Sequence, residues 1–221
     1  MRIGIVSDIH DDVTTLRTAL TALRREGVEQ VVSLGDAFDS CKPGDPGVEV
    51  ASLLHEAGAV GVWGNHDVGL SHEVSAEVRE LAAPSLLEFA ARLQPQLTLE
   101  GCRFSHIEPW RDPRRVEDLW AFDGMPDTDV QARRSFDVVP ERLLFLGHFH
   151  LWLAMRRSLG RVEWDGQSAI RLSAPDRYLV VVAPIVEGWC AVLETGDFVL
   201  TPIRCSVQPR LDPTAAAQRT G

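Results

Sequence analysis

Met1 to His10, MRIGIVSDIH, opens the chain, and its reading decides the fold. Ile3 to Val6 is a short apolar run without polar alternation, the pattern of a strand buried on both faces. It stops at a carboxylate and an imidazole two positions apart. The same ending returns in VVSLGDAFD (31–39), VGVWGNHD (60–67), CRFSHI (102–107) and LLFLGHFH (143–150). The run ends carry Asp8 and His10; Asp36 and Asp39; Asn65, His66 and Asp67; His106; and His148 and His150. All are residue types that ligate metals. In open α/β sheets ligands bind beyond the carboxyl ends of strands, so ends from distant parts of the chain can meet at one place. Singly, each has a plainer reading. Asp8 could be a turn acid, Asp11 or Asp12 an N-cap, and Asp36 and Asp39 loop caps. Asn65 and His66 could occupy a positive-φ turn, and His106 could be a satisfied core histidine. The joint pattern outweighs these, because five of seven histidines fall at strand ends. His55, within a helix, and His72, in a loop, are assigned no role.

Outward from these runs, the first half alternates strands with helices. Arg2–Ser7, Gln30–Leu34 and Ala59–Trp63 read as strands. Val13, Leu16, Leu20 and Leu23 recur at helical spacing, with Gly27 closing that helix. Asp45 followed by Pro46 reads as an N-cap and first helical position of a helix that Gly58 ends. Further helices are expected around Ser75–Ala82 and Ser85–Leu93. Together these predict a largely parallel sheet covered on both faces. The second half carries runs at Leu143–Leu146, Leu151–Arg156, Arg161–Trp164, Ala169–Leu172, Tyr178–Ala183, Trp189–Leu193 and Phe198–Ile203. Turn signals such as Asp165-Gly166 join them, which predicts a second, mainly antiparallel sheet stacked on the first. A single domain over residues 1–205 is expected. Residues 108–137 form a polar stretch suited to a lid insertion, and 206–221 a mobile tail.

A chain of 221 residues can bury a core without disulfide or zinc staples. Its 45% apolar and 24% charged residues place it among globular proteins. A net charge of -10 argues against a binder of duplex nucleic acid, which needs a basic face. A small anionic substrate stays open, because bound cations reverse the local sign. Cys41, Cys102, Cys190 and Cys205 form no C-x-x-C pair and stand apart from the His/Asp runs, as reduced buried thiols do. No basic-then-apolar leader precedes the first strand, and the longest apolar run, Tyr178–Val186, is broken by Pro184. The expectation is a cytoplasmic protein away from membranes.

The ordered blocks are D-x-H (Asp8, His10), G-D-x-x-D (Gly35 to Asp39), G-N-H-D (Gly64 to Asp67), a lone His106 and G-H-x-H (Gly147 to His150). This set resembles the calcineurin-like metallophosphoesterase superfamily. The resemblance implies an α/β fold, a four-layer αββα sandwich of two stacked mixed β-sheets flanked by helices. It implies two divalent cations, one held by Asp8, His10, Asp36 and His150, the other by Asp36, Asn65, His106 and His148, with Asp36 bridging. Such nitrogen and oxygen donors suit manganese, iron, zinc, cobalt or nickel, and the resemblance implies manganese first. The implied reaction is hydrolysis of phosphate mono- or diesters by a metal-bridging hydroxide. His66 would assist the leaving group and Asp39 would orient His66. Two divalent cations against Asp8 and Asp36 leave the site near +2, a local attraction for a small phosphorylated substrate.

Departures narrow the class. The superfamily's Ser/Thr protein phosphatases carry Arg after G-D-x-x-D and Glu after G-N-H, where this chain has Ser40 and Asp67. Ala183-Pro184-Ile185 stands where an N-P-G-S-like turn is common, and Cys41 to Pro46 resembles the G-P-x-P loop of bacterial members. A nuclease of the same superfamily is the alternative enzyme, disfavoured by the acidic charge. A non-catalytic scaffold would be expected to lose ligands, yet all seven positions are filled. Arg111, Arg114, Arg115, Arg133 and Arg134 read as solvated surface among acids rather than as grips for a second phosphate. Trp110 and Trp120 either stack a base or cover the core. Asp67 stays open between a turn role and support of the site.

Overall fold

A computed structural model describes residues 1–205 of the chain; residues 206–221, expected as a mobile tail, lie outside the described residues. The order is β1 (Arg2–Val6), α1 (Val13–Arg25), β2 (Gln30–Ser33), α2 (Pro46–Glu56) and β3 (Val60–Gly61). Then come α3 (Val68–Ser71), α4 (Ala76–Leu81), α5 (Pro84–Ala90), β4 (Leu97–Leu99) and β5 (Cys102–Ser105). Next are α6 (Val116–Leu119), α7 (Asp129–Val138), β6 (Leu143–Leu146), β7 (Leu153–Arg156), β8 (Gly160–Arg161) and β9 (Ile170–Arg171). The described chain ends in β10 (Tyr178–Val181), a 3₁₀ turn at Ile185–Glu187, β11 (Trp189–Glu194) and β12 (Val199–Arg204).

Two six-stranded sheets result, β3-β2-β1-β11-β12-β9 and β4-β5-β6-β10-β7-β8. Both are mixed. Strands β1, β2 and β3 run parallel in the first and β5, β6 and β10 in the second. The two mixed sheets that the resemblance implies are found, and the expectation of a largely parallel first sheet is corrected, since three of its five pairings are antiparallel. β11 returns to the N-terminal sheet and pairs with β1 from Arg2↔Glu194 to Ile5↔Ala191. β1 is central, and a buried strand needs hydrogen-bond partners along both edges. An apolar run reports burial but does not name its partner.

Alternation along the strands sets the layers. Ile3 and Ile5 of β1 and Leu143 and Phe145 of β6 meet in the core between the sheets. Val6 faces the other way, into a core with Leu16 of α1, Leu54 of α2 and Leu86 of α5. Leu144 and Leu146 pack outward on Ala132 and Phe136 of α7. The result is helices, sheet, sheet and helix, a four-layer sandwich. Phe104 stacks on Phe145 between the sheets, ring centroids 5.3 Å apart. Each such fully buried apolar side chain contributes about 1.5–3 kcal/mol.

Several local elements differ from the sequence reading. Ala59–Trp63 shortens to Val60–Gly61, with Val62 bridging to Gln94. Asp12 caps α1 by accepting from Thr15 N at 3.0 Å. Asp45 precedes α2, but its side chain accepts from Lys42 N and leaves the helix uncapped. Residues 108–137 hold α6 and most of α7, which covers the outer face of the second sheet. Arg111, expected on solvated surface, is buried against Glu108 and Asp123. All four cysteines are free. Among the described residues no helix is long and apolar enough to cross a membrane.

Candidate metal centre

The carboxyl ends of β1, β2 and β3 in one sheet and β5 and β6 in the other open on the same place. Backbone bonds tie the loops there. Asp8 N donates to Gly35 O at 3.0 Å, Ile9 N to Asp36 O at 2.8 Å, and Gly147 N to His106 O at 3.1 Å. The chain around 183–185 docks on the same end, with Ile185 N donating to Ser7 O at 2.8 Å. Gly64 lies so close to Asp36 that any Cβ there would collide with its carboxylate. Among the described residues, six of the nine non-glycine residues with left-handed φ are Asp8, His10, Asp11, Asp36, His148 and His150. That region costs a non-glycine residue about 1–2 kcal/mol, and such strain persists where function and packing demand it. Asn65 and His66 are not among these residues.

Every sequence-assigned donor comes into reach of another. Asp8, His10 and His150 form one group, and Asp36, His106 and His148 a second. His150 Nε2 stands 3.3 Å from Asp8 Oδ1. Asn65 Oδ1 stands 3.0 Å from both His106 Nε2 and His148 Nδ1. Asp36 Oδ1 accepts from His66 N at 2.9 Å. Its Oδ2 lies 3.3 Å from His106 Nε2 in one group and 3.9 Å from His10 Nε2 in the other.

Hydrogen bonds settle what these atoms can do. His106 Nδ1 sits 2.7 Å from Leu34 O and must donate to it. Its Nε2 then faces Asn65 and Asp36 with a lone pair. Three acceptors gathered at such distances need positive charge among them, a proton or a cation. His10 repeats the arrangement, with Nδ1 on Asp39 at 3.0 Å and a buried Nε2 that has no hydrogen-bond partner among the described residues. An imidazole anchored through one nitrogen is the usual form of a histidine ligand. The residues therefore fit divalent cations.

Without a cation the charges adjust. Burial would depress His106, but the Asp36 carboxylate overrides it and raises the imidazole to about 9. Burial would raise Asp36, yet His106 and the His66 amide hold it well below the usual carboxylate range. Burial, then the charge on His106, push His148 down to about 4. His150 is raised by its hydrogen bond to Asp8.

A third group, His10, Asp39 and His66, lies at the open side. Asp39 Oδ1 is 2.8 Å from His66 Nδ1 and also holds His10, so one oxygen serves both rings. Two supporting acids were not resolved by sequence. Asp67, fully buried, accepts from Ala37 N (2.9 Å), Phe38 N (3.0 Å) and Gly64 N (2.9 Å), joining the G-D-x-x-D and G-N-H-D loops. Burial, then Asp36, push its carboxyl up to about 7. Asp11 accepts from Asp39 N at 3.1 Å and from the Ser40 hydroxyl, placing Asp39. Their signal was an acid directly after D-x-H, Asp11, and the acid that closes G-N-H-D, Asp67. Of the unassigned histidines, His55 meets Arg92 and His72 stacks on Trp63.

Comparison with known proteins follows this geometry. A metallophosphoesterase from Sphaerobacter thermophilus is similar at TM-score 0.74 and 21% identity, covering 94% of this chain and 89% of that one. An archaeal phosphodiesterase gives TM-score 0.53 at 15% identity over 92% and 99% of the two chains. The protein TT1561 of Thermus thermophilus gives 0.57 at 14% over 93% and 99%. Likenesses at such identity speak for the fold alone. Among curated proteins, none matches the chain in sequence. The model of the calcineurin-like phosphoesterase superfamily domain, however, matches residues 1–170, a span that takes in every strand-end donor described above. By that match, the chain belongs to the calcineurin-like phosphoesterase superfamily.

Proposed function

We propose that the protein is a metal-dependent hydrolase of phosphate mono- or diesters acting on a small phosphorylated substrate in the cytoplasm. The observation that carries this reading is Asp36 Oδ2, placed between His106 Nε2 of one donor group and His10 Nε2 of the other. Two divalent cations, manganese first among the candidates, would be held by Asp8, His10, Asp36 and His150 and by Asp36, Asn65, His106 and His148. When bound they would polarise the phosphoryl oxygens and acidify a water for attack.

The chain's own residues supply the rest. His66 holds its Nδ1–H on Asp39, and as an imidazolium it gives its Nε2 proton to the departing oxygen, leaving a neutral ring. Asp39 fixes the orientation of the ring. The Asn65 amide is neutral, so it completes one donor group without reducing the positive charge offered to phosphate.

The test is elemental analysis joined to turnover of bis-p-nitrophenyl phosphate and p-nitrophenyl phosphate with Mn, Fe, Zn, Co or Ni supplied. Chelator-sensitive release of p-nitrophenol is expected. Stoichiometric metal without hydrolysis of any ester would leave the scaffold reading in its place.

A further inference from the structure

Trp120 lies in the segment between β5 and β6, just after α6, and its ring meets His66 with centroids 5.3 Å apart and planes tilted by 45°. The residue is nevertheless 54% exposed. The same segment brings Phe122, 59% exposed, to 6.3 Å from Phe149, whose ring meets His148 edge-on at 5.3 Å. Trp120 thus stands at the rim of the donor site, and Phe122 one ring farther out.

The segment is held in place around them. Leu119 is fully buried, and Arg111 reaches Asp123 at 2.7 Å. Upstream, Trp63 Nε1 donates to Pro113 O at 2.8 Å. Trp120 is therefore a bare indole on a fixed support. A pre-positioned aromatic face loses little entropy when a second flat ring settles on it. Its neighbour gives it meaning: His66 stands between Trp120 and His10, at 4.8 Å from the His10 ring. If His66 serves the leaving group, whatever that group carries lies beside the indole.

We propose that Trp120 is a stacking platform for a flat aromatic ring borne by the leaving group, so that the site selects phosphoesters of aromatic or nucleobase-bearing alcohols. The inference rests on the phosphoesterase reading above and adds a substrate class to it. Stacking asks only for a π face, which both ring sources possess.

Matched ligands test it. AMP against ribose 5-phosphate, and benzyl phosphate against cyclohexylmethyl phosphate, share a primary leaving oxygen and differ in the ring. Binding to the full chain is read by calorimetry, and kcat/KM by phosphate release with manganese supplied. The ring-bearing member should bind about tenfold more tightly, the order one ring–indole stack supplies. W120A should bring the ratio near one, and W120F should keep most of it. Discrimination in the AMP pair points to a base on a sugar spacer, and in the benzyl pair to a ring on a short arm; either supports the platform. Ratios near one in the wild type, or unchanged in W120A, overturn it. So does a W120A whose only effect is a change in oligomeric state, which would mean that a second copy covers the indole. Discrimination in binding without turnover of any ester would count against the hydrolase reading and leave the platform standing.

Discussion

The two donor groups are held in different ways. Asp36, Asn65 and His106 are buried and braced by both sheets: His106 by Leu34 O at the end of β2, Asp36 by the His66 amide, Asn65 by two imidazoles. In the other group Asp8 is buried, but the His150 side chain is 40% exposed, and His10 depends on Asp39 at the surface. Charges in the first group belong to the folded structure, since a broken buried pair leaves an uncompensated charge. In the second, the buried Asp8 also accepts from His148 N and the Ser7 hydroxyl, so the partly exposed His150 weighs little on stability. One half of the site is therefore built with the fold and the other is laid at its edge.

Asp36 joins the halves, so its removal breaks the comparison most severely. Asp36→Ala should empty both groups and lower bis-p-nitrophenyl phosphate turnover by about 10³-fold or more, beyond what loss of one electrostatic contact costs. Elemental analysis of the purified variant checks the first part. Retention of one full equivalent would mean that the groups bind independently.

His66 lies outside both groups by the reading above. His66→Gln should lower kcat by about 10²–10⁴-fold, the range for a lost general acid, while metal content stays at the wild-type level. A variant that loses metal in proportion to activity would place His66 among the ligands and erase the distinction.

Between the groups themselves, stability is the sharper readout. His106→Ala leaves Asp36 buried without its partner and should cost about 3–5 kcal/mol in urea unfolding. His150→Ala should cost less than about 1 kcal/mol while still weakening cation binding. Equal costs would show that burial does not separate the two halves.

What the sequence made legible follows the same division. The strand ends could be read because a parallel strand buried on both faces is a continuous apolar run, and because carboxylate and imidazole at its end have few other uses in common. The return of β11 to the first sheet was not legible, since no local pattern encodes a partner so far along the chain. The left-handed φ of Asp8, Asp36 and His148 was hidden for a similar reason. Asp and His tolerate that conformation better than most side chains but do not demand it, and the loops packed around them impose it. Trp120 could be weighed only between core and stacking, because exposure depends on what α6 packs against.

Asp67 gives a moderate and the most diagnostic effect, because its side chain bonds to backbone amides rather than to a cation donor, yet holds the loops that carry Asp36 and Asn65. In Asp67→Asn the oxygen that accepts from Ala37 N and Phe38 N can remain, but an amide NH₂ would face the Gly64 N–H. One unmet buried donor costs about 1–3 kcal/mol, which for a domain of this size lowers Tm by about 2–10 °C. The loops that loosen belong to the buried half, so the cation there should bind about 10–100-fold more weakly, as when a ligand's support is lost. The open half takes Asp8, His10 and His150 from the ends of β1 and β6, shares only Asp36 with the buried half, and should keep its cation. Titration of the metal-depleted variant with manganese separates the cases: one weakened step beside one unchanged step sharpens the division, whereas two equally weakened steps would show that Asp67 supports the whole site through Asp36.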